Sequence, residues 1–103
     1  MAASAVTKAL LVRFDALPGR EADVEDFLNQ GLALVEQEPK TVRWFALRFG
    51  PSSFGIFDAF PDDEARQVHL NGAVGKALGE NIGKLFKEPT IEAVDIVAEK
   101  VPQ

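Results

Sequence analysis

Residues 9–14 (ALLVRF) are almost wholly apolar and run into Asp15-Ala16-Leu17-Pro18-Gly19. The run predicts a strand and the Pro-Gly pair a turn, because Pro fixes φ and Gly tolerates positive φ. From Arg20 the period changes. Val24, Phe27, Leu28, Gly31, Leu32 and Val35 recur at spacings of three and four, which predicts a helix over 20–37 with one apolar face. Glu21, Asp23, Glu25 and Asp26 fill its early turns, where the helix dipole favours anions, and Pro39 ends it. Residues 41–49 (TVRWFALRF) and 53–60 (SFGIFDAF) are rich in aromatic and β-branched residues, and Gly50-Pro51-Ser52 between them is too short for a crossover. They predict an antiparallel hairpin. Pro61-Asp62-Asp63-Glu64 reads as a helix start with Asp62 as N-cap, and Ala65, Val68, His69 and Gly72 would share one face. After Asn71-Gly72 a second stripe follows, formed by Val74, Ala77, Leu78, Ile82, Leu85 and Phe86; Pro89 stops it, and residues 90–98 (TIEAVDIVA) predict the last strand.

The order β-α-β-β-α-β, with the second helical region in two pieces, is that of a ferredoxin-like α+β fold, an antiparallel sheet with its helices on one face. No repeat, linker or low-complexity tract interrupts it, so residues 1–103 are expected to form one domain.

The strands alternate poorly for a sheet with one wet face. Phe45, Leu47 and Phe49 line one side of the second strand, and Val42, Trp44 and Ala46 the other; Phe54, Ile56 and Phe60 oppose Phe57 and Ala59 on the third. Both sides call for burial, yet the helices can cover only one. Aromatic surface of that extent is rare on soluble monomers. The expected cover is a second copy of the chain, sheet against sheet, in a homodimer.

Composition removes several chemistries. The 103 residues are 47% apolar and 26% charged, an ordinary globular balance. There is no cysteine, which excludes disulfides, thiolate metal sites and cysteine nucleophiles and agrees with a reducing cytoplasm. There is no tyrosine and a single histidine, His69, so no multi-histidine metal site can form within one chain and no metal is expected. A net charge of -5 argues against sequence-independent binding to nucleic acid. No run approaches the roughly 20 apolar residues of a membrane span, and the N-terminus lacks the pattern of a signal peptide.

Asp58-Ala59-Phe60-Pro61-Asp62-Asp63-Glu64-Ala65-Arg66-Gln67-Val68-His69 resembles the acid-x-aromatic…Ala-x-x-x-His segment of the antibiotic biosynthesis monooxygenase family of dimeric α+β barrels. Asp58 stands at the acidic position, Phe60 at the aromatic, Ala65 at the small helix residue and His69 at the histidine, and the Leu17-Pro18-Gly19…Phe27 entry to the first helix is similar as well. The resemblance implies a cofactor-independent oxygenase that acts on a small aromatic or quinol-like molecule held between sheet and helices. His69 would be the base, Asp58 its orienter, and Trp44, Phe60 and Phe27 the residues that contact substrate. A histidine suits that role because its unperturbed pKa lies near 6.5. A second histidine frequent in the family is missing near Val74. The first strand holds no Asn, and Phe60 replaces the Trp used by haem-degrading members, so haem degradation is not expected.

Each site residue also has a plain structural reading: His69 as a sheet-facing histidine held by a carboxylate or carbonyl, Trp44 as dimer core, and Arg13, Arg43 and Arg48 as rim arginines rather than anion binders. A non-catalytic dimeric module that binds a small apolar ligand or serves a stress response, or an isomerase in the same pocket, would have the same sequence pattern. Gly75, Gly79 and Gly83 recur every four residues and predict a weakly helical, mobile lid.

Overall fold

A computed structural model describes residues 6–102. The elements are β1 (Lys8–Asp15), α1 (Glu21–Val35), β2 (Arg43–Arg48), β3 (Ser53–Phe60), α2 (Asp63–Leu70), α3 (Ala73–Asn81) and β4 (Thr90–Asp95). The four strands form one open antiparallel sheet in the order β2-β3-β1-β4, the ferredoxin-like arrangement read from the sequence. The ends of the predicted elements move by a few residues, most at the termini of the second and last strands.

Register decides which side chains meet the helices. Leu10 pairs with Asp58, Val12 with Ile56 and Phe14 with Phe54. Trp44 pairs with Asp58 on the other side of β3. Because side chains alternate along a strand, these residues share the face beneath α1, α2 and α3. There Val12, Phe14, Phe54 and Ile56 form a core with Val24, Leu28 and Val35 of α1 and Val74 and Leu78 of α3. Phe86 is fully buried and stacks tilted on Phe14, ring centres 4.5 Å apart.

Asp62 caps α2 as expected: its Oδ1 accepts from the Ala65 amide at 2.8 Å. Three expected positions differ. Leu32 and Val68, assigned to buried helix faces, are exposed, because the helices meet the sheet over a narrower stripe than the spacing suggested. Val42, assigned to the Trp44 side, packs with the opposite cluster of Ala9, Ala59 and Phe57, since it precedes β2 and its alternation. The last helical stripe ends early as well. Gly83 takes φ +82°, a turn that takes the chain out of α3 and folds residues 82–86 back against Ala16.

Among the described residues no helix covers the reverse face of the sheet. Phe45 and Phe49 are 50% and 44% exposed, with Phe57 stacked on Phe45 at 6.5 Å. The Phe49 ring lies over Gly55, where a Cβ would strike both that ring and the Val12 carbonyl, and the Arg13 guanidinium covers the ring's outer side at 4.0 Å. Among the described residues no helix is long and apolar enough to cross a membrane.

Candidate functional site

Asp58 is the one carboxylate on the covered face of β3, and it is 1% exposed. Above it, α2 presents His69, 6% exposed, one helical turn past Ala65. The small Ala65 side chain, buried with Leu10 and Phe60, lets α2 approach the sheet closely. His69 Nε2 lies 2.8 Å from Asp58 Oδ2, so the pair expected from the sequence forms.

The other ring nitrogen meets a group the sequence did not point to. His69 Nδ1 lies 2.6 Å from Oε1 of Glu38, in the connection between α1 and β2. Thr41 Oγ1 donates to the same Glu38 oxygen at 2.8 Å and fixes it. Glu38 lies just past the helix predicted over 20–37, and no pattern in the sequence singles it out. Its contact spans 31 residues of sequence, and an acid beside a proline is too common to mark it. The one available hint was that Glu38 and Thr41 are spaced to hydrogen-bond across a tight turn.

Two carboxylates accept and do not donate, so an imidazole satisfied by both carries a proton on each nitrogen. Burial disfavours the charged ring, but its hydrogen bonds to Asp58 and Glu38, and the charges of both, outweigh burial and raise the His69 pKa above its ordinary 6.5. Burial pushes the Asp58 carboxyl above its ordinary 3.8, and the bond and charge of His69 reverse only part of that. The remaining oxygen, Asp58 Oδ1, is buried and has no hydrogen-bond partner among the described residues. A buried acceptor left unpaired is costly.

Asp58 and His69 open onto a cavity of about 210 Å³ between the sheet and α2–α3. Leu10, Val12 and Ile56 form its floor and Leu70, Val74 and Leu78 its roof; Ile82, Glu88, Pro89 and Ile91 ring its mouth. Gly75 and Gly79 lie along the roof for different reasons. A Cβ on Gly75 would strike the Leu70 carbonyl, so glycine permits the tight α2–α3 junction, whereas a Cβ on Gly79 would meet nothing within 4 Å.

The three aromatic residues expected to contact substrate are not among the cavity's walls. Trp44 faces the helices rather than the reverse side, but its ring packs on Gly31 of α1. Phe27 packs against Phe86 in the core, ring centres 5.7 Å apart. Phe60 stands behind His69 at 5.3 Å and supports the ring. The wall is aliphatic because β1, β3 and α3, not β2 and α1, enclose the space. None of the strand arginines reaches it either: Arg13 covers Phe49, Arg48 pairs with Glu25, and Arg43 is bonded to the Val42 carbonyl.

No family model and no curated protein matches the chain. Solved structures do. A protein of unknown function from Nitrosomonas europaea is 47% identical, with 98% of this chain and 99% of that one covered and a TM-score of 0.92. A candidate antibiotic biosynthesis monooxygenase from Caulobacter crescentus is 19% identical over 92% and 93% of the two chains, with a TM-score of 0.76. An antibiotic biosynthesis monooxygenase is 17% identical over 88% and 99%, with a TM-score of 0.75. The chain therefore belongs to one family with the Nitrosomonas europaea protein and has the ferredoxin-like fold of the antibiotic biosynthesis monooxygenases.

Proposed function

We propose that residues 1–103 form a single domain that works as a homodimer and as a cofactor-independent monooxygenase on a small aromatic or quinol-like molecule. The observation that carries this reading is a buried Asp58–His69 pair, with one carboxylate oxygen unpartnered, on the wall of an otherwise largely apolar cavity. The pair accepts the proton of a substrate hydroxyl. The resulting oxyanion is electron-rich enough to reduce O₂ directly, and the apolar walls keep water from the reactive species. The electrons balance without a cofactor. A quinol and O₂ give a hydroxyquinone and water: the substrate loses four electrons, one oxygen atom enters the product, and the other leaves as water.

The homodimer rests on the reverse face, where Phe45, Phe49 and Phe57 form an apolar surface that a second sheet would cover. Sedimentation at micromolar concentration tests it, and a monomer there sinks it. Oxygen uptake with a panel of hydroquinones and naphthols tests the activity. Wild type should consume O₂, and His69→Ala should lose roughly 100-fold or more, the usual worth of acid–base assistance. Equal turnover in the variant removes His69 from the reaction, and no uptake with any compound favours a non-catalytic ligand-binding module. A proton acceptor beside an apolar cavity also serves an isomerase, which product formation under nitrogen would reveal.

A further inference from the structure

We infer that Asp58 Oδ1 is the atom that touches the substrate and takes its proton, that His69 and Glu38 are positioning residues, and that the ligand is a neutral hydroxyl-bearing molecule of about one ring. The inference deepens the monooxygenase reading and uses the same cavity. Both His69 nitrogens are already committed, to Asp58 Oδ2 at 2.8 Å and to Glu38 Oε1 at 2.6 Å. With a proton on each nitrogen the ring has no lone pair to offer. Asp58 Oδ1 is the reverse case: an acceptor on a side chain 1% exposed, unpartnered, on a residue that lines the cavity. The Asp58 carboxyl is also the better base for being buried, because burial raises its affinity for a proton.

The ligand class follows from the walls. An apolar cavity of about 150 Å³ is enough to hold benzene, so about 210 Å³ admits one substituted ring. Besides His69, whose charge Asp58 and Glu38 already offset, the charged groups on the cavity are Asp58 within and Glu88 at the mouth, both acidic. A carboxylate or phosphate would meet like charge, whereas a neutral hydroxyl supplies the donor that Oδ1 lacks. In the transfer, the substrate O–H bond breaks, a new O–H bond forms on Oδ1, and the electron pair stays on the substrate oxygen. The total charge of the cavity does not change, and the imidazolium remains in place to hold the carboxyl. Nothing is oxidised in this step.

Three single-ring probes test the contact by ¹⁹F NMR titration: 4-fluorophenol, fluorobenzene and 4-fluorobenzoate. Wild type should prefer 4-fluorophenol to fluorobenzene by about 10- to 150-fold, the worth of a hydrogen bond to a charged acceptor, and should bind 4-fluorobenzoate most weakly. Asp58→Asn should cut the preference to a few-fold; an unchanged preference in that variant overturns the assignment, and tighter binding of the benzoate overturns the ligand class. If Asp58→Asn fails to fold, ¹⁵N NMR of wild-type His69 decides. Both ring nitrogens should read as protonated and stay so when 4-fluorophenol saturates the protein, whereas a bare nitrogen that shifts on binding makes the ring the acceptor. Correct probe binding without oxygen uptake with any quinol would end the monooxygenase reading and leave the Asp58 contact standing. Oxygen uptake with an Asp58→Asn preference equal to wild type would do the reverse.

Discussion

On the side of the sheet beneath the helices, Phe54, Ile56, Asp58 and Phe60 of β3 are 2% exposed or less. On the reverse, Phe45 and Phe49 leave about half their surface bare. The two sides use aromatic residues at similar density and put them to different ends. Complete cover removes water from Asp58 and His69, so each charge there depends on a partner and each missing partner matters. The bare side holds no such group. Of the two strand arginines on that side, Arg13 rests on the Phe49 ring and Arg43 donates to the Val42 carbonyl, and neither reaches a buried partner. The buried charged groups therefore lie on the side the chain covers by itself, and the exposed aromatic surface on the side it leaves open.

The largest test of that division truncates an aromatic on each side. Phe86→Ala removes a fully buried ring from the covered core and should cost about 3–5 kcal/mol, at any protein concentration, in urea unfolding. Phe45→Lys should act differently. It should weaken self-association by about 2–4 kcal/mol in sedimentation, the range of an interface anchor, and cost less than about 0.5 kcal/mol in unfolding of the dilute monomer. Equal unfolding costs for the two variants would erase the distinction between the faces.

What the sequence showed divides along similar lines. Element order, the hairpin, the Asp62 cap and the surplus of apolar residues on the reverse face were legible, because each depends on local period or turn chemistry. The Asp58–His69 pair was legible through a short motif that links one strand end to the next helix. Glu38 was not, because its contact with His69 depends on where the α1–β2 connection passes over α2. The cavity's aliphatic walls were not legible for a related reason: Trp44 and Phe27 are large and apolar, but β2 and α1 lie to one side of the space, and aliphatic residues of β1, β3 and α3 enclose it.

A smaller effect separates the paired charges from ordinary core. The His69 pKa is raised above 6.5, so its stabilising contribution is complete below that pH and is lost as pH rises through the raised value. His69→Gln should therefore be less stable than wild type by about 1–3 kcal/mol at pH 6, the cost of stranding buried acceptors, and the gap should narrow toward pH 9. Phe86→Ala should show no such trend. A gap that widens with pH would mean that Asp58 and Glu38 do not hold an imidazolium.

The smallest effect lies in the cavity roof, where the covered side is least firmly built. Gly79 is in the body of α3 with open space where a Cβ would go, so Gly79→Ala should stabilise by about 0.5–1 kcal/mol by favouring the helix. Gly75→Ala should destabilise, because its Cβ would strike the Leu70 carbonyl. If the roof opens to admit ligand, amides of α3 exchange faster than those of α1 in wild type, and Gly79→Ala slows them. Because Gly79 lines the cavity, the same variant should also bind 4-fluorophenol more weakly. Slower exchange with unaltered binding would show that opening of α3 is separate from entry, and would leave the mouth between Ile82, Glu88 and Ile91 as the route.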